Sequence, residues 1–330
     1  MKIGVLGAGT WGMALARMLC NDGYEVSVWS ALEKEIDELD STRVHKNLPG
    51  MIIPAEIVFT KSIEEVCTDK DVLLFAVPSV YVRDTCRLAK EYIKENQIIV
   101  DVAKGIEADT LYTMSQVIED EIGKKVRVVA LSGPTHAEEV AKDMPTTIVS
   151  ASKDYEAAKL VQDIFMNTCM RVYTNDDVLG VELCGALKNI IALAAGISTG
   201  LGYGDNAKAA IITRGMVEMT RLGLAMGASK DTFPGLAGIG DLIVTCTSVH
   251  SRNNRCGMLI GQGMKAQDAV KEVGMVVEGI NALPAAMKLI DKYHVEMPII
   301  TMVNEVVNDK IDPLSAVNRL MEREKKNEVI

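Results

Sequence analysis

The apolar positions divide the chain into two parts with different patterns. In the first part, short and nearly continuous apolar runs such as 71–77 and 97–102 alternate with helical stretches. Such runs are typical of strands buried on both faces of a parallel sheet. From about Val178 the strand signals stop, and amphipathic helices follow one another. The pattern predicts an α/β domain followed by an all-α domain, with the division at 1–177 and 178–330.

The same pattern of apolar positions predicts the individual strands and helices. The predicted strands are 2–6, 25–29, 71–77, 97–102, 126–131 and 146–150, and the helices between them include 13–20, 80–95 and 110–121. In the second part the predicted helices are 178–200, 206–226, 254–263, 266–273, 279–293, 298–308 and 313–326.

The helix predicted over 178–200 has two distinct sides at 3.6 residues per turn. Bulky residues occupy one broad side: Leu179, Leu183, Leu187, Ile190, Leu193 and Ile197. The other side carries Gly185, Lys188, Asn189, Ala192, Gly196 and Thr199, so that one ammonium and one amide project from a row of small residues. One interpretation is a lysine with its stem on apolar surface and its charge in water. The other is a functional lysine with room beside it for a group that is not protein.

Composition narrows the class of protein. A net charge of −10 argues against a nucleic-acid partner, whose binding surface would be basic. Seven scattered cysteines without a CxxC pair indicate reduced thiols and a cytoplasmic location. The glycines among the first residues do not fit a secretory signal. No run reaches the roughly 18 to 20 apolar residues that a membrane span needs, so no integral membrane segment is expected.

A glycine-rich turn follows the first predicted strand. Gly7, Gly9 and Gly12 form G-x-G-x-x-G between a strand and a helix, and a second strand follows within about 30 residues. Glycines there let the backbone approach a pyrophosphate, while the helix N-terminus supplies N–H groups and a positive dipole end. This context predicts a bound dinucleotide, with a purely structural tight turn as the alternative.

The end of the second strand leaves the type of dinucleotide open. An acid at this place binds the ribose 2′-OH of NAD, and an arginine accommodates the 2′-phosphate of NADP. Trp29 is followed by Ser30, Ala31 and Leu32, with Glu33 slightly late and no arginine adjacent. The segment therefore predicts only modest discrimination between NADH and NADPH.

Four further groups carry candidate chemistry. Lys104 follows a strand end, although a surface lysine is an equal alternative, and His136 is either a base or a structural residue at a helix start. Asp241 ends a glycine-rich turn, which is also an ordinary turn signal. The run Ser251 to Asn254 suits a phosphate, or is a simple N-cap. Neither a Ser–His–Asp arrangement nor a metal-ligand spacing is evident.

Taken together these groups resemble one family, the bacterial type of NAD(P)-dependent glycerol-3-phosphate dehydrogenase. The matching stretches, in family order over nearly the whole chain, are GAGTWG at 7–12, AKG at 103–105, SGPTHAEEV at 132–140, GALKNIIALAAG at 185–196, GDNAKAAIITRG at 204–215, GLAGIGDL at 235–242, SRNN at 251–254 and VVEG at 276–279. The resemblance implies a Rossmann-like domain and a helical domain of the 6-phosphogluconate-dehydrogenase type. It also implies reversible reduction of dihydroxyacetone phosphate to sn-glycerol 3-phosphate for phospholipid synthesis, in a homodimer.

The resemblance assigns roles motif by motif. Lys188 resembles the general acid that protonates the C2 oxygen, in agreement with burial that would lower its pKa. Lys104 is similar to the lysine that touches both cofactor and substrate. The implied substrate positions are Lys104, Gly133, Thr135, Lys188, Asp241, Ser251, Arg252 and Asn253. The implied NAD or NADP positions are Gly7, Gly9, Thr10, Trp11, Gly12, Lys104, Ala137, Arg252, Val276 and Glu278. Many members carry a basic residue near Ser30 to Leu32, where this chain has none, so the resemblance leaves NADP preference open.

Two other functions remain as alternatives. One is another two-domain dehydrogenase of the 6-phosphogluconate or 3-hydroxyisobutyrate type, which a substrate profile would separate. The other is a nicotinamide-binding redox sensor without turnover, which needs neither a buried lysine nor Arg252.

Overall fold

The first half of the chain forms one eight-stranded sheet in the computed structural model, which describes residues 1–325 and 327–328. Its strands are β1 (Lys2–Leu6), β2 (Glu25–Trp29), β3 (Val58–Thr60), β4 (Val72–Phe75), β5 (Ile98–Asp101), β6 (Arg127–Ser132), β7 (Thr146–Ala151) and β8 (Met170–Asn175). They lie in the order β3-β2-β1-β4-β5-β6-β7-β8. Neighbouring strands are parallel except β6 and β7, whose connection holds only a four-residue helix.

The helices fall into two sets. Those among the strands are α1 (Thr10–Asn21), α2 (Glu33–Thr42), α3 (Ile63–Cys67), α4 (Val82–Ala89), α5 (Met114–Ile122), α6 (Ala137–Val140) and α7 (Tyr155–Met166). After the sheet come α8 (Val178–Gly200), α9 (Asp205–Met226), α10 (Asp241–Thr247), α11 (Arg252–Gly261), α12 (Ala266–Val273), α13 (Glu278–Tyr293), α14 (Pro298–Val307) and α15 (Pro313–Met321). The predicted fold class, a Rossmann-like domain followed by a helical domain, is confirmed.

The prediction from sequence missed both edge strands and several helices, namely α2, α3, α7 and α10. Both missed strands, β3 and β8, lie at the edges of the sheet, and β8 alternates buried and exposed residues near its start. Helix α2 was missed because Ile36 and Leu39 are its only buried residues. Helix α15 ends at Met321, whereas the prediction extended it to residue 326, which lies outside the described residues.

Helix α8 is the centre of the helical domain. Its bulky residues lie in the main apolar core with residues of α9, α10, α11, α13 and α14. By length and composition α8 could cross a membrane, with a mean hydropathy of 1.7, but 94% of that window is buried inside the protein. The prediction that no run is long enough for a span was therefore wrong, since this helix meets the criterion as the core of a domain.

The small-residue face of α8 packs directly on α11. A Cβ atom on Gly196 would lie 2.1 Å from the carbonyl oxygen of Asn254, and one on Gly257 would lie 2.3 Å from that of Leu193. The two backbones therefore touch. Along the C-terminal half of α8, the space that the sequence suggested for a ligand is filled by α11. Near Gly185, in contrast, the neighbours of that face are the side chains of Lys104 and Ser132.

Candidate active site

The glycine-rich turn between β1 and α1 forms a cradle for an anion. A Cβ on Gly12 would lie 2.1 Å from the Gly7 carbonyl oxygen, so the turn closes tightly there. Above Gly9, by contrast, no described atom lies within 4 Å of where a Cβ would be. Helix α1 has no side-chain cap and no acid in its first turn, so the N–H groups of Thr10 and Trp11 and the helix dipole are left for a ligand. These features fit a dinucleotide pyrophosphate.

Three charged side chains from three different elements meet at the centre of the molecule. Lys188 on α8 donates to Asp241 Oδ1 over 2.5 Å and to Thr245 Oγ1 over 2.7 Å. Lys104, just after β5, donates to Asp241 Oδ2 over 2.7 Å and to the Gly133 carbonyl oxygen over 3.1 Å. Asp241 is completely buried and Lys188 nearly so. One carboxylate therefore holds two ammonium groups side by side.

The position of Asp241 follows from the chain around it. A single turn of π-helix, Leu236–Gly240, leads straight into α10, whose first residue is Asp241. Thr245 lies one turn later on the same helix face, and its hydroxyl donates to the Asp241 carbonyl oxygen over 2.6 Å. With its proton used in this way, the Thr245 oxygen accepts from Lys188.

The environment of Lys188 lowers its pKa from 10.5 to about 8. Burial is the largest cause, because removal from water disfavours the ammonium form, and the charge of Lys104 acts in the same direction. Asp241 opposes both by stabilising the ammonium. A lysine poised near neutral pH is suited to give and take a proton.

The donor count of the cluster indicates what it can do. Each ammonium has three N–H donors, and Asp241, Thr245 and Gly133 account for two on each lysine. Each lysine keeps one donor for a ligand, and the cluster carries a net charge of about +1 with both lysines protonated. Such a site stabilises negative charge that develops on a substrate oxygen and can supply a proton to it.

The segment after β6 lines the same site. The Gly133 carbonyl oxygen accepts from Lys104 and also from the Thr135 hydroxyl, over 3.2 Å. Ala137 begins α6 and is buried. His136 lies between them, and its Nε2 is buried with no hydrogen-bond partner among the described residues. Burial, aided by the charge of Lys188, lowers the pKa of His136 and so disfavours its imidazolium form.

The predicted phosphate segment lies at the start of α11. Ser251 is the N-cap and accepts from the Asn254 backbone N–H over 3.2 Å. Arg252 is half-buried, and no hydrogen bond joins its guanidinium to the part of the chain that the structure describes. Asn253 is buried and ties the helices together, donating to Asn189 Oδ1 (2.9 Å) and accepting from the Gly279 N–H (2.8 Å).

The last predicted motif joins the two domains. Glu278, the first residue of α13, accepts from the backbone N–H and the hydroxyl of Ser79 over 3.0 and 2.6 Å. Ser79 follows β4 and lies against Gly105, the neighbour of Lys104. The preceding Val276 is half-buried. Glu278 thus connects the helical domain to the loops above the sheet.

Sequence reasoning missed four residues of this region. Thr245 had a usable signal, since it lies four residues after Asp241. Asn189 lies on the small-residue face of α8, but the sequence does not indicate that it accepts from Asn253. Ser79 and Glu35 carried no signal. Glu35 reaches back from α2 to accept from Ser30 Oγ over 2.6 Å at the end of β2, where no acid was expected.

Two family models match the chain, one after the other. The description of the first is NAD-dependent glycerol-3-phosphate dehydrogenase N-terminus, and it matches residues 2–158. The second is the C-terminus of the same family, matched over residues 177–318.

Similar proteins cover the whole chain. A protein of Lactobacillus delbrueckii subsp. bulgaricus named glycerol-3-phosphate dehydrogenase [NAD(P)+] 2 is 66% identical over 99% of both chains. One of Fusobacterium nucleatum named glycerol-3-phosphate dehydrogenase [NAD(P)+] is 51% identical over 100% of this chain and 99% of its own. The crystal structure of glycerol-3-phosphate dehydrogenase from Coxiella burnetii superposes with a TM-score of 0.94 at 36% identity, over 98% of this chain and 99% of the other.

Proposed function

The chain belongs to the NAD-dependent glycerol-3-phosphate dehydrogenase family, and from this premise we propose that the cluster of Lys188, Asp241 and Lys104 is its catalytic centre. The protein is an oxidoreductase that interconverts dihydroxyacetone phosphate and sn-glycerol 3-phosphate with NAD or NADP. The observation that carries the proposal is the pair of buried ammonium groups held by one buried carboxylate.

Lys188 is the proton donor of the reduction. The reduced nicotinamide, when bound, supplies a hydride to C2 of dihydroxyacetone phosphate. As the two electrons of the C2=O π bond move to oxygen, Lys188 Nζ gives a proton to that oxygen, which completes the alcohol. In the reverse direction the neutral amine takes the hydroxyl proton, and a pKa of about 8 makes both forms accessible.

Asp241 and Lys104 act on Lys188 and on the substrate. Asp241 stabilises the ammonium form of Lys188 and fixes both lysines through its two oxygens. The free N–H of Lys104 stabilises the charge that develops on the C2 oxygen. Gly133, which accepts from Lys104, and Thr135 border the place where the substrate would lie.

Arg252 is the clamp for the substrate phosphate. Its guanidinium lies at the start of α11, where Ser251 caps the helix and the N–H groups of the first turn, that of Asn253 among them, favour an anion. A guanidinium holds a phosphate through two parallel hydrogen bonds, which lysine cannot reproduce. Because the phosphate does not react, its binding energy positions the carbonyl, so its loss affects both kcat and KM.

The test compares two substrates and two variants. We expect Arg252→Lys to be partly defective and Arg252→Ala severely so in steady-state reduction of dihydroxyacetone phosphate. Unphosphorylated dihydroxyacetone should be a poor substrate throughout, so the gap between the two substrates should narrow in Arg252→Ala. A full preference for the phosphorylated substrate in Arg252→Ala would show that Arg252 is not the clamp.

The cofactor is held by the cradle at Gly7, Gly9 and Gly12 with the first turn of α1, where Thr10 and Trp11 lie. Lys104, Ala137, Arg252, Val276 and Glu278 complete the set that we propose around it, on the strength of the family motifs. Glu278 acts in part through Ser79, which it holds against the loop of Lys104. A redox sensor without turnover would not need Lys188 buried against Asp241, so the site favours an enzyme over a sensor.

The setting of the enzyme is part of the proposal. We place the domain division at 1–177 and 178–330, and the enzyme in the cytoplasm, where its seven cysteines, all free thiols, stay reduced. Supply of glycerol 3-phosphate to phospholipid synthesis and a homodimeric assembly follow from the family resemblance. Light scattering coupled to size-exclusion chromatography tests the assembly state.

A further inference from the structure

The carboxyl end of β2 is where a Rossmann-like domain distinguishes NAD from NADP. In this chain the three residues that follow Trp29 are Ser30, Ala31 and Leu32, none of which is ionisable. An ionisable group that contacts the ribose 2′ position would therefore have to come from another part of the chain. In the structure, the carboxylate of Glu35 lies at the end of β2.

Glu35, in the first turn of α2, reaches back to the end of β2. Its Oε2 accepts a hydrogen bond of 2.6 Å from Ser30 Oγ, and Ser30 Oγ in turn accepts from the Leu32 backbone N–H over 3.2 Å. Ser30 is buried, so its hydroxyl is a fixed donor. These contacts hold a carboxylate at the place where the sequence has none.

A second contact links this carboxylate to the glycine-rich turn. His45 is buried, and its imidazole is hydrogen-bonded to the backbone of Ala8, which lies between Gly7 and Gly9. The same imidazole interacts electrostatically with Glu35. Glu35 therefore acts on a buried residue that is itself bonded to the glycine-rich turn.

Two of the cations near the end of β2 and the start of α2 form ion pairs with acidic side chains. Lys61 pairs with Asp37 at 2.7 Å and with Glu33 at 3.7 Å. Arg43 pairs with Asp40 at 2.8 Å and also donates to backbone carbonyl oxygens. Two further cations, Lys34 and Lys46, are exposed to water. A 2′-phosphate would thus meet the Glu35 carboxylate without a guanidinium clamp to neutralise it.

We propose that Glu35 makes the enzyme prefer NADH to NADPH. Its carboxylate accepts a hydrogen bond from the ribose 2′-OH, since a carboxylate has capacity beyond the bond from Ser30. The same charge repels a 2′-phosphate. The inference rests on the proposed function, because it needs a nicotinamide dinucleotide in the cradle. The expected preference is about tenfold to a hundredfold in Kd, the scale of one charge-assisted hydrogen bond together with one like-charge contact.

Isothermal titration of the full chain with NADH and with NADPH tests the proposal by binding alone. Glu35→Gln removes the charge, and we expect NADPH to bind more tightly and NADH about tenfold more weakly, so that the ratio of the two Kd values approaches one. Glu33→Gln is the matched control, because it removes the same charge from the same helical turn, while Glu33 is exposed and pairs with Lys61 instead of Ser30. It should leave the ratio within about twofold of wild type.

Two results would overturn the inference. One is a wild-type chain that binds NADPH as tightly as NADH, and the other is a Glu35→Gln variant whose Kd ratio stays at the wild-type value. Circular dichroism and the reduction rate at saturating cofactor show that the variant is folded. A wild-type chain that binds neither nucleotide would instead refute the proposed cofactor cradle, which is a separate failure.

Discussion

Asp241→Asn is the most informative perturbation of the cluster. The substitution keeps the shape and the buried volume but removes the negative charge that pairs with both Lys104 and Lys188. Burial and Lys104 both lower the pKa of Lys188, and Asp241 is what raises it. Without that carboxylate we therefore expect the pKa of Lys188 to fall below about 8.

The size of the effect follows from the distance. An opposite charge in direct contact changes a pKa by about one to three pH units. At pH 7 a group with a pKa near 8 is about nine-tenths protonated, and a fall of that size leaves between about one-half and one-hundredth in the ammonium form. The rate of dihydroxyacetone phosphate reduction at pH 7 should thus fall by about twofold to a hundredfold.

The assay is the pH dependence of kcat in both directions. In the wild type, reduction should decline as the pH rises through about 8, because the ammonium is lost, while oxidation of glycerol 3-phosphate should rise through the same range. In Asp241→Asn both midpoints should move to lower pH, and reduction should recover in acid. Thr245→Val removes only the neutral acceptor of Lys188 and should move the midpoint much less. A midpoint that stays in place in a folded Asp241→Asn enzyme would refute this account of Lys188.

Two other predictions concern single buried groups. Lys188→Ala should lower kcat by about a hundredfold or more, while the Kd for NADH changes by less than about twofold, because the cradle lies in the other domain; near wild-type turnover would restore the interpretation of Lys188 as a structural lysine. Glu218 on α9 caps α14 by accepting from the Ile299 and Ile300 N–H groups, and burial raises its pKa from 4.5 to about 7. The folded state therefore binds more protons than the unfolded state between these values, and its contribution to stability is lost as the pH rises from about 4.5 to about 7. Glu218→Gln should gain about 2–3 kcal/mol over the wild type at pH 8 and little at pH 5 in urea unfolding, and an equal change at both values would contradict the pKa.

The sequence predicted what depends on local pattern. Continuous apolar runs located the six central strands, and the glycine spacing at Gly7 to Gly12 located the turn, because backbone conformation and burial on two faces leave a direct record in residue type. The edge strands β3 and β8 have one exposed side, so their pattern is weaker. Local pattern singled out Lys104, Lys188 and Asp241 as candidates, but their roles came from the family resemblance.

Contacts between residues far apart in the chain could not be predicted from the sequence. Lys104 and Asp241 are 137 positions apart, and no spacing records that they share a hydrogen bond. Glu35 was missed for a different reason, since its side chain bends back over the start of its own helix to meet Ser30. The row of small residues on α8 was misread in part, because small residues admit a second backbone as readily as a ligand, and α11 occupies that space.

The backbone contact between α8 and α11 also sets an order of events during synthesis. Between Gly200 and Arg252 lie 51 residues (201–251), so the glycine face of α8 emerges from the ribosome well before its partner. At about 5–20 residues per second, the delay is roughly 3 to 10 s. Throughout that interval the nascent chain displays a 23-residue helix as apolar as a membrane span. The nascent chain therefore needs its α8 segment protected from aggregation on the ribosome, a need that disappears once α8 is buried in the folded protein.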